Sequence, residues 1–303
     1  KLEVVALKIF FRWLAARAVG ITWSSLLLFW STRELARAGL GRVLAIGLAA
    51  GAVTGVLTAL GQAYGLLDSD LLSLSRAPGG TFGNRNFVAH LAAISMPVLL
   101  ATALAARSRA GYLVSVLATL LTVGLMVLTR SRAAWLATAV SGLVFLGLGF
   151  LPGGLWRDET ARKRVRGPIL AVIAGAALAL SLPNALDWRS DTPYIDTLKG
   201  LANYQEGSGR GRLLQWRNSL ALVVADPVLG VGPGNWAVEY PAVVEPGDPS
   251  LDSDGMTANP WPSSDWMAVL SERGIPALLV LTLAGGLLFI AGARAWLAGP
   301  RGL

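Results

Sequence analysis

The feature that most constrains this chain is a series of apolar stretches, each about as long as a bilayer is thick. A membrane-spanning helix needs about 20 mostly apolar residues, since the hydrocarbon interior offers no partner to an unpaired backbone group. Seven stretches are candidates: 13–30, 43–60, 87–106, 112–128, 133–150, 168–182 and 275–297. The first carries Arg17 within it, and the sixth is short and closed by Pro183. Only 15% of the 303 residues are charged and 54% are hydrophobic, against about 25% charged in an ordinary soluble domain. Soluble, disordered and fibrous classes are therefore excluded. The expected fold is all-α, a polytopic transmembrane helix bundle of about seven spans. Gly47, Gly51 and Gly55 recur every four residues, a spacing that lets helix backbones approach closely in lipid and implies no chemistry.

Charge orients the spans. The 151–168 connection holds Arg157, Arg162, Lys163, Arg164 and Arg166, which places it in the cytoplasm by the positive-inside rule. Alternation then puts 31–42 (Arg33, Arg37, Arg42), 107–111 (Arg107, Arg109) and the C-terminal Arg301 on the same side. The outer side receives 61–86, the 129–132 turn and the long 183–274 segment. Lys1, Lys8 and Arg12 are the misfit. The chain starts at Lys1 and stops just after an apolar run, so it reads as a piece of a longer protein, and no cleavable signal peptide is evident. Three regions follow: 1–182 as transmembrane helices, 183–274 as an outer loop region, and 275–303 as the last helix with a cytoplasmic end.

The 183–274 segment has twelve acidic and six basic residues, a net −6 against +8 for the whole chain, which leaves +14 for the remainder. Within it Leu213, Trp216, Leu220 and Val224 recur at helical spacing. This predicts an amphipathic helix of about three turns near the membrane surface, ended by Asp226-Pro227. A tight Gly/Pro turn, Gly230-Val231-Gly232-Pro233-Gly234-Asn235, comes next.

Several chemistries are excluded by composition. There is no cysteine and one histidine, His90, which removes disulfide frameworks, thiolate metal sites and paired-histidine zinc motifs. No phosphate-binding Gly-Lys loop is present, and the 230–235 turn lacks the strand-turn-helix setting of a dinucleotide fingerprint. His90 reads as a packed, hydrogen-bonded histidine rather than a catalyst. Nucleic-acid binding is excluded because the basic residues are scattered among membrane loops.

Four polar clusters remain on the outer face. Arg130 and Arg132 occupy the turn Thr129-Arg130-Ser131-Arg132-Ala133-Ala134-Trp135. Ionisable groups at membrane depth point to function, and arginine grips phosphate with two parallel hydrogen bonds; the competing reading is snorkelling to lipid headgroups. Arg210 and Arg212 precede the surface helix, where free N–H groups also favour anions, or they mark a solvated helix start. Asn84 and Asn86 stand at the entry to a span, as part of a site or as a helix cap. In Pro262-Ser263-Ser264-Asp265, one serine is suited to cap a helix and Asp265 to its first turn, so capping explains this cluster as well as catalysis does. Together the clusters describe an outer-interface site suited to a lipid-linked anion.

These residues resemble the O-antigen ligase-like membrane proteins. Gly83-Asn84-Arg85-Asn86-Phe87 is similar to a G-N-x-N-F segment of that family, and Ser131-Arg132-Ala133-Ala134-Trp135 to its SRxxW segment. The stretch from Arg212 and Trp216 to Asp226-Pro227-Val228-Leu229-Gly230-Val231-Gly232-Pro233-Gly234-Asn235 is the most specific part, and Ser271-Glu272-Arg273-Gly274-Ile275-Pro276 opens the last span. The likeness runs in order from about residue 40 to 297. It implies a glycosyltransferase of the bacterial inner membrane with a periplasmic active site. The donor would be an undecaprenyl-diphosphate-linked glycan and the acceptor a glycan, a lipid or a protein, with no metal or other cofactor. It further implies that Arg132 and Arg212 hold the diphosphate, helped by Arg130 and Arg210, with Asn84, Asn86, Trp216 and Glu272 in support.

One departure stands out. Ligases carry a His-Asn pair about nine residues before the glutamate, with the histidine as base; here Ser263 and Ser264 stand there. Serine is no base at neutral pH, so Asp265 becomes the candidate, since a carboxylate in hydrogen-bond reach suffices. The departure favours polymerases and variable relatives over a strict ligase. The alternative class is a non-catalytic transporter or inactive scaffold of the same family; against it, the chain lacks the paired interrupted helices of many transporters.

Overall fold

The structure is a computed structural model that describes residues 2–68, 77–150, 159–188, 190–202, 207–245, 248, 250–251, 257 and 261–297. Helices dominate, and no strand occurs, among the described residues. We number the α-helices α1 (Leu2–Leu35), α2 (Gly41–Ala63), α3 (Arg85–Leu104), α4 (Arg109–Thr129), α5 (Arg132–Phe150), α6 (Glu159–Arg164), α7 (Arg166–Ser181), α8 (Pro193–Ala202), α9 (Gly207–Ala225), α10 (Trp236–Glu239) and α11 (Asp265–Leu297).

Among the described residues, six helical runs are long and apolar enough to cross a membrane. The count differs from seven because 31–42, read from the sequence as a connection, is helical. Val19–Ala63 is one run of 45 residues. The segment has no proline, and Glu34 accepts from both Arg33 and Arg37, so little opposes the helix until Gly39. There the backbone enters the left-handed region (φ 80°) inside a π-helical turn, Ala36–Leu40. A straight helix of this length would measure roughly 68 Å, more than twice the hydrocarbon thickness of about 30 Å. Gly39 divides it into two lengths of spanning size.

The contacts divide the chain into two compact units, one reaching Phe145 and including the stretch that ends at Asp187, the other taking the end of α5 from Leu146 and the chain from Trp188 onward. In the first, α2, α3, α4 and α7 form the packed body. Its core is built from small and flexible side chains: Ala89, Ala92, Ala93, Met96, Val123, Met126 and Ala134, with Val56, Ala59, Val88 and Leu125 alongside. Lipid is as apolar as these residues, so helix association there rests on close packing rather than on exclusion from water. The closest approach to backbone is at Gly175, where a Cβ would lie 2.3 Å from the Leu120 carbonyl oxygen. The expected Gly47-Gly51-Gly55 stripe is used only at Gly55, against Leu91 and Phe82; Gly47 and Gly51 have nothing within 4 Å.

The ends of this bundle differ. At one end Arg164 donates to the carbonyls of Leu104 (2.9 Å) and Ala106 (2.8 Å), closing the C-terminus of α3, and its own carbonyl accepts from the Tyr112 hydroxyl. That end gathers the basic connections around Arg107, Arg109 and Arg166. At the other end the Ala185 N–H donates to the Ala63 carbonyl, Gln62 Oε1 accepts from Gly80 N, and the 129–132 turn is found.

The second unit is organised around α9. The sequence predicts that Leu213, Trp216, Leu220 and Val224 form one apolar face. In the structure Leu213, Leu220 and Val224 are exposed, Arg217 lies among them, and Trp216 is half-buried. The buried face is instead Gln215, Ser219, Leu222 and Val223. The reason is the partner: the fully buried Trp236 and Tyr240 pack on Leu222, and the Trp236 indole N–H needs an acceptor, which Ser219 Oγ supplies at 2.9 Å. The helix ends at Ala225, where Asp226 accepts from Leu229 N and Pro227 cannot extend it.

Candidate functional site

The first unit contributes the turn between α4 and α5. The last carbonyls of a helix have no partner within it, and that of Met126 is taken by two side chains, Thr129 Oγ1 and the Trp135 indole N–H, both at 2.8 Å. Trp135 thereby pins the start of α5 to the end of α4, with Thr129 and Ser131 buried between them. Arg130 caps α4 in a left-handed conformation (φ 54°), which costs an arginine about 1–3 kcal/mol and recurs at functional sites. Arg132 opens α5, and both arginines are half-buried. At the same bundle end Asn84 caps α3, its Oδ1 accepting from Asn86 N at 2.9 Å. The capping role foreseen for this pair thus belongs to the Asn84 side chain, and Asn86 contributes its N–H. His90 is exposed, contrary to the packed position expected, because the buried face of α3 runs through Val88, Ala89, Ala92 and Met96.

In the second unit, Arg210 and Arg212 occupy the first turns of α9 and both are exposed. One turn past Arg212, Trp216 donates its indole N–H to the Pro262 carbonyl at 2.9 Å. This bond ties the arginine-bearing helix to the segment that leads into Asp265. Ser263 has a positive φ of 52°. Ser264 caps α11, accepting from Met267 N, and Asp265 follows as the first, exposed residue of that helix. Arg130 and Ser263 are the non-glycine residues with positive φ among the described residues; each falls in a cluster that the sequence singled out.

The Gly/Pro turn and the Ser271-Pro276 segment, separate motifs in the sequence, form one device. α11 breaks at Gly274 (φ 77°, ψ 178°), which leaves the carbonyls of its first segment without helical partners. Val231 N donates to Ser271 O (2.9 Å), Gly232 N to Glu272 O (3.0 Å), and Ile275 N to Pro227 O (2.8 Å). Contact is too close for side chains: a Cβ at Gly230 would lie 2.4 Å from the Glu272 carbonyl carbon, and one at Gly274 2.2 Å from the Val228 oxygen. The Glu272 carboxylate accepts from Trp236 N at 3.4 Å, at the start of α10, so Glu272 supports the frame.

Arg130, Arg132, Asn84 and Asn86 thus belong to the first unit, and Arg210, Arg212, Asp265 and Glu272 to the second. Sequence reasoning missed Ser219, Trp236 and Tyr240; the one available signal was an aromatic residue directly after the Gly/Pro turn. Among the described residues no three His, Cys, Asp or Glu side chains gather as a metal site would need.

Six apolar helical runs and polar turns rich in arginine and asparagine define a multi-pass membrane protein. The O-antigen ligase family model matches residues 117–282, more than half of the chain, and the chain belongs to that family. The matched region covers the α4–α5 turn, α9, the Gly/Pro turn and the break in α11. No curated protein and no solved structure matched the chain in the same comparison. The family gives the general activity: a membrane protein of the O-antigen ligase or polymerase type, acting as a glycosyltransferase on lipid-linked glycans.

Proposed function

We propose that this protein transfers or polymerises a glycan from an undecaprenyl-diphosphate donor at the periplasmic face of the bacterial inner membrane. The observation that carries this reading is the contrast between the two ends of the first unit. The basic connections around Arg107, Arg109, Arg164 and Arg166 gather at one end, which the positive-inside rule assigns to the cytoplasm. The turn with Arg130 and Arg132 stands at the other end, which this reading assigns to the periplasm.

In this reading Arg132 and Arg212 act on the donor diphosphate, with Arg130 and Arg210 adding positive charge. The acceptor hydroxyl attacks the anomeric carbon, the bond to the diphosphate breaks, and undecaprenyl diphosphate leaves as an anion. Arginine hydrogen bonds to that developing charge lower the barrier where water is scarce. Asp265 accepts the proton of the attacking hydroxyl, taking the place of the histidine that Ser263 replaces. Trp216 keeps α9 and the Asp265 segment in register, while Asn84, Asn86 and Glu272 hold the surrounding turns. A glycan, a lipid or a protein serves as acceptor.

The test is glycan transfer by the purified chain given a polyprenyl-diphosphate glycan and an acceptor. Arg132→Ala and Arg212→Ala are each expected to lower turnover about 10²–10³-fold, the usual effect of deleting one group that stabilises transition-state charge. Unchanged turnover in both variants would overturn the assignment of the arginines. Full activity in Asp265→Asn would remove Asp265 as the base while leaving the rest standing. No transfer by the wild-type chain with any acceptor would favour a transporter or an inactive scaffold.

A further inference from the structure

The break in α11 provides a depth marker for the second unit. From Ile275 to Leu297 the helix carries one charge, Arg294, and one hydroxyl, Thr282, which donates to the Leu278 carbonyl within the helix. At about 1.5 Å per residue this stretch reaches roughly 34 Å, slightly more than the hydrocarbon core of about 30 Å. Ile275 therefore stands at one edge of the hydrocarbon.

The turn after α9 is fastened at that level. Pro227 O accepts from Ile275 N at 2.8 Å, and the Val228 carbonyl lies directly against Gly274. The side chains that the turn presents outward are aliphatic: Val224 is 81% exposed, Val228 60% and Leu229 74%. Asp226 is the only ionisable residue between 218 and 238. It is half-buried, and its carboxylate is engaged within the turn, accepting from Leu229 N at 3.2 Å. Exposed aliphatic side chains concentrated at one spot mark an interaction surface. The surface next to it is that of α11, where Leu279, Val280 and Leu283 are more than 60% exposed, as suits a helix whose solvent is lipid.

We infer that the Val224–Leu229 turn inserts its aliphatic tip into the bilayer beside the entry of α11, with lipid acyl chains as its partner. The insertion gives the second unit an anchor in addition to α11 and fixes the height of α9 at the lipid surface. Such binding grows with the apolar area buried in the interface. It depends on the membrane setting alone and stands whether or not Arg132, Arg212 and Asp265 have the roles proposed above.

The chain has no cysteine, so single cysteines can be introduced without a cysteine-free background. Val228→Cys and Leu229→Cys would each be coupled to a nitroxide, and the full chain reconstituted in phosphatidylcholine–phosphatidylglycerol vesicles. Leu283→Cys serves as a lipid-facing reference and the exposed Glu239→Cys as a water-facing one. Collisions with oxygen, which concentrates in lipid, and with a water-soluble nickel chelate would be compared. At 228 and 229 the oxygen-to-nickel ratio is expected to be several-fold above that at 239 and to approach that at 283. A ratio like that at 239 would place the turn in water and overturn the inference. Low accessibility to both reagents would mean that protein covers the turn, from this chain or a second copy, and would overturn it equally.

Discussion

The two units are held together in opposite ways. The first relies chiefly on what its helices lack: alanine and glycine at the crossings, so that Gly175 meets the backbone at Leu120, with the Trp135–Met126 bond added at the α4–α5 turn. The second relies on named bonds: the backbone clamp from 227–232 onto 271–275, the Trp236–Ser219 hydrogen bond, and the Trp236–Tyr240 contact with ring centroids 4.5 Å apart. A unit surrounded by lipid gains little from hiding apolar surface and is stabilised by close packing. A loop unit must satisfy irregular backbone groups one by one. The second architecture is less tolerant, because one misplaced atom there removes several bonds at once.

The contrast can be broken most severely at the clamp. Gly230→Ala or Gly274→Ala would force an L side chain into positive φ and into backbone atoms nearer than 2.5 Å. Strain and overpacking together are expected to cost about 3–5 kcal/mol, read as loss of the folded loop unit to limited proteolysis of the full chain in detergent. In the helical unit Gly175→Ala pushes a Cβ onto the Leu120 carbonyl; helices slide more readily than a clamped turn, so about 1–3 kcal/mol is expected, seen as a lower thermal midpoint. Ser219→Ala leaves the buried Trp236 N–H without its acceptor, at a cost of about 1–2 kcal/mol, and the Trp236 fluorescence should shift as the environment opens. The smallest effect is expected at Gly47→Ala, which meets nothing within 4 Å; helix propensity favours alanine there, so a change within about 1 kcal/mol in the stabilising direction should appear in the same melt. A large loss at Gly47 would mean that the unused part of the glycine stripe packs against something else.

Much of the membrane fold was legible, since length and apolarity alone mark a span. The 31–42 connection, suggested by its charges, is narrowed to a break at Gly39, because no residue before it opposes the helix. The polar clusters were legible as clusters, because charged and amide residues are scarce in this chain. Their local roles were partly readable: Ser264 and Asn84 are caps at positions where capping residues are expected. The buried face of α9 was not readable. Hydropathy favours Leu213, Leu220 and Val224 for burial, whereas the fold buries Gln215 and Ser219, because a tryptophan seventeen positions beyond Ser219 needs an oxygen to accept its N–H.

What the sequence determined by itself was the class of the molecule and its membership of the O-antigen ligase family: apolar lengths set by the bilayer, and ordered motifs. What only the tertiary structure decided was how distant motifs serve each other. Gly230 and Gly274 look like ordinary turn glycines until their backbones meet, and Trp216 looks like an apolar helix residue until its N–H reaches Pro262. The reason is physical. Spans are specified by properties that add up along the chain, whereas a hydrogen bond or a close contact depends on two groups whose separation is set only when the chain has folded.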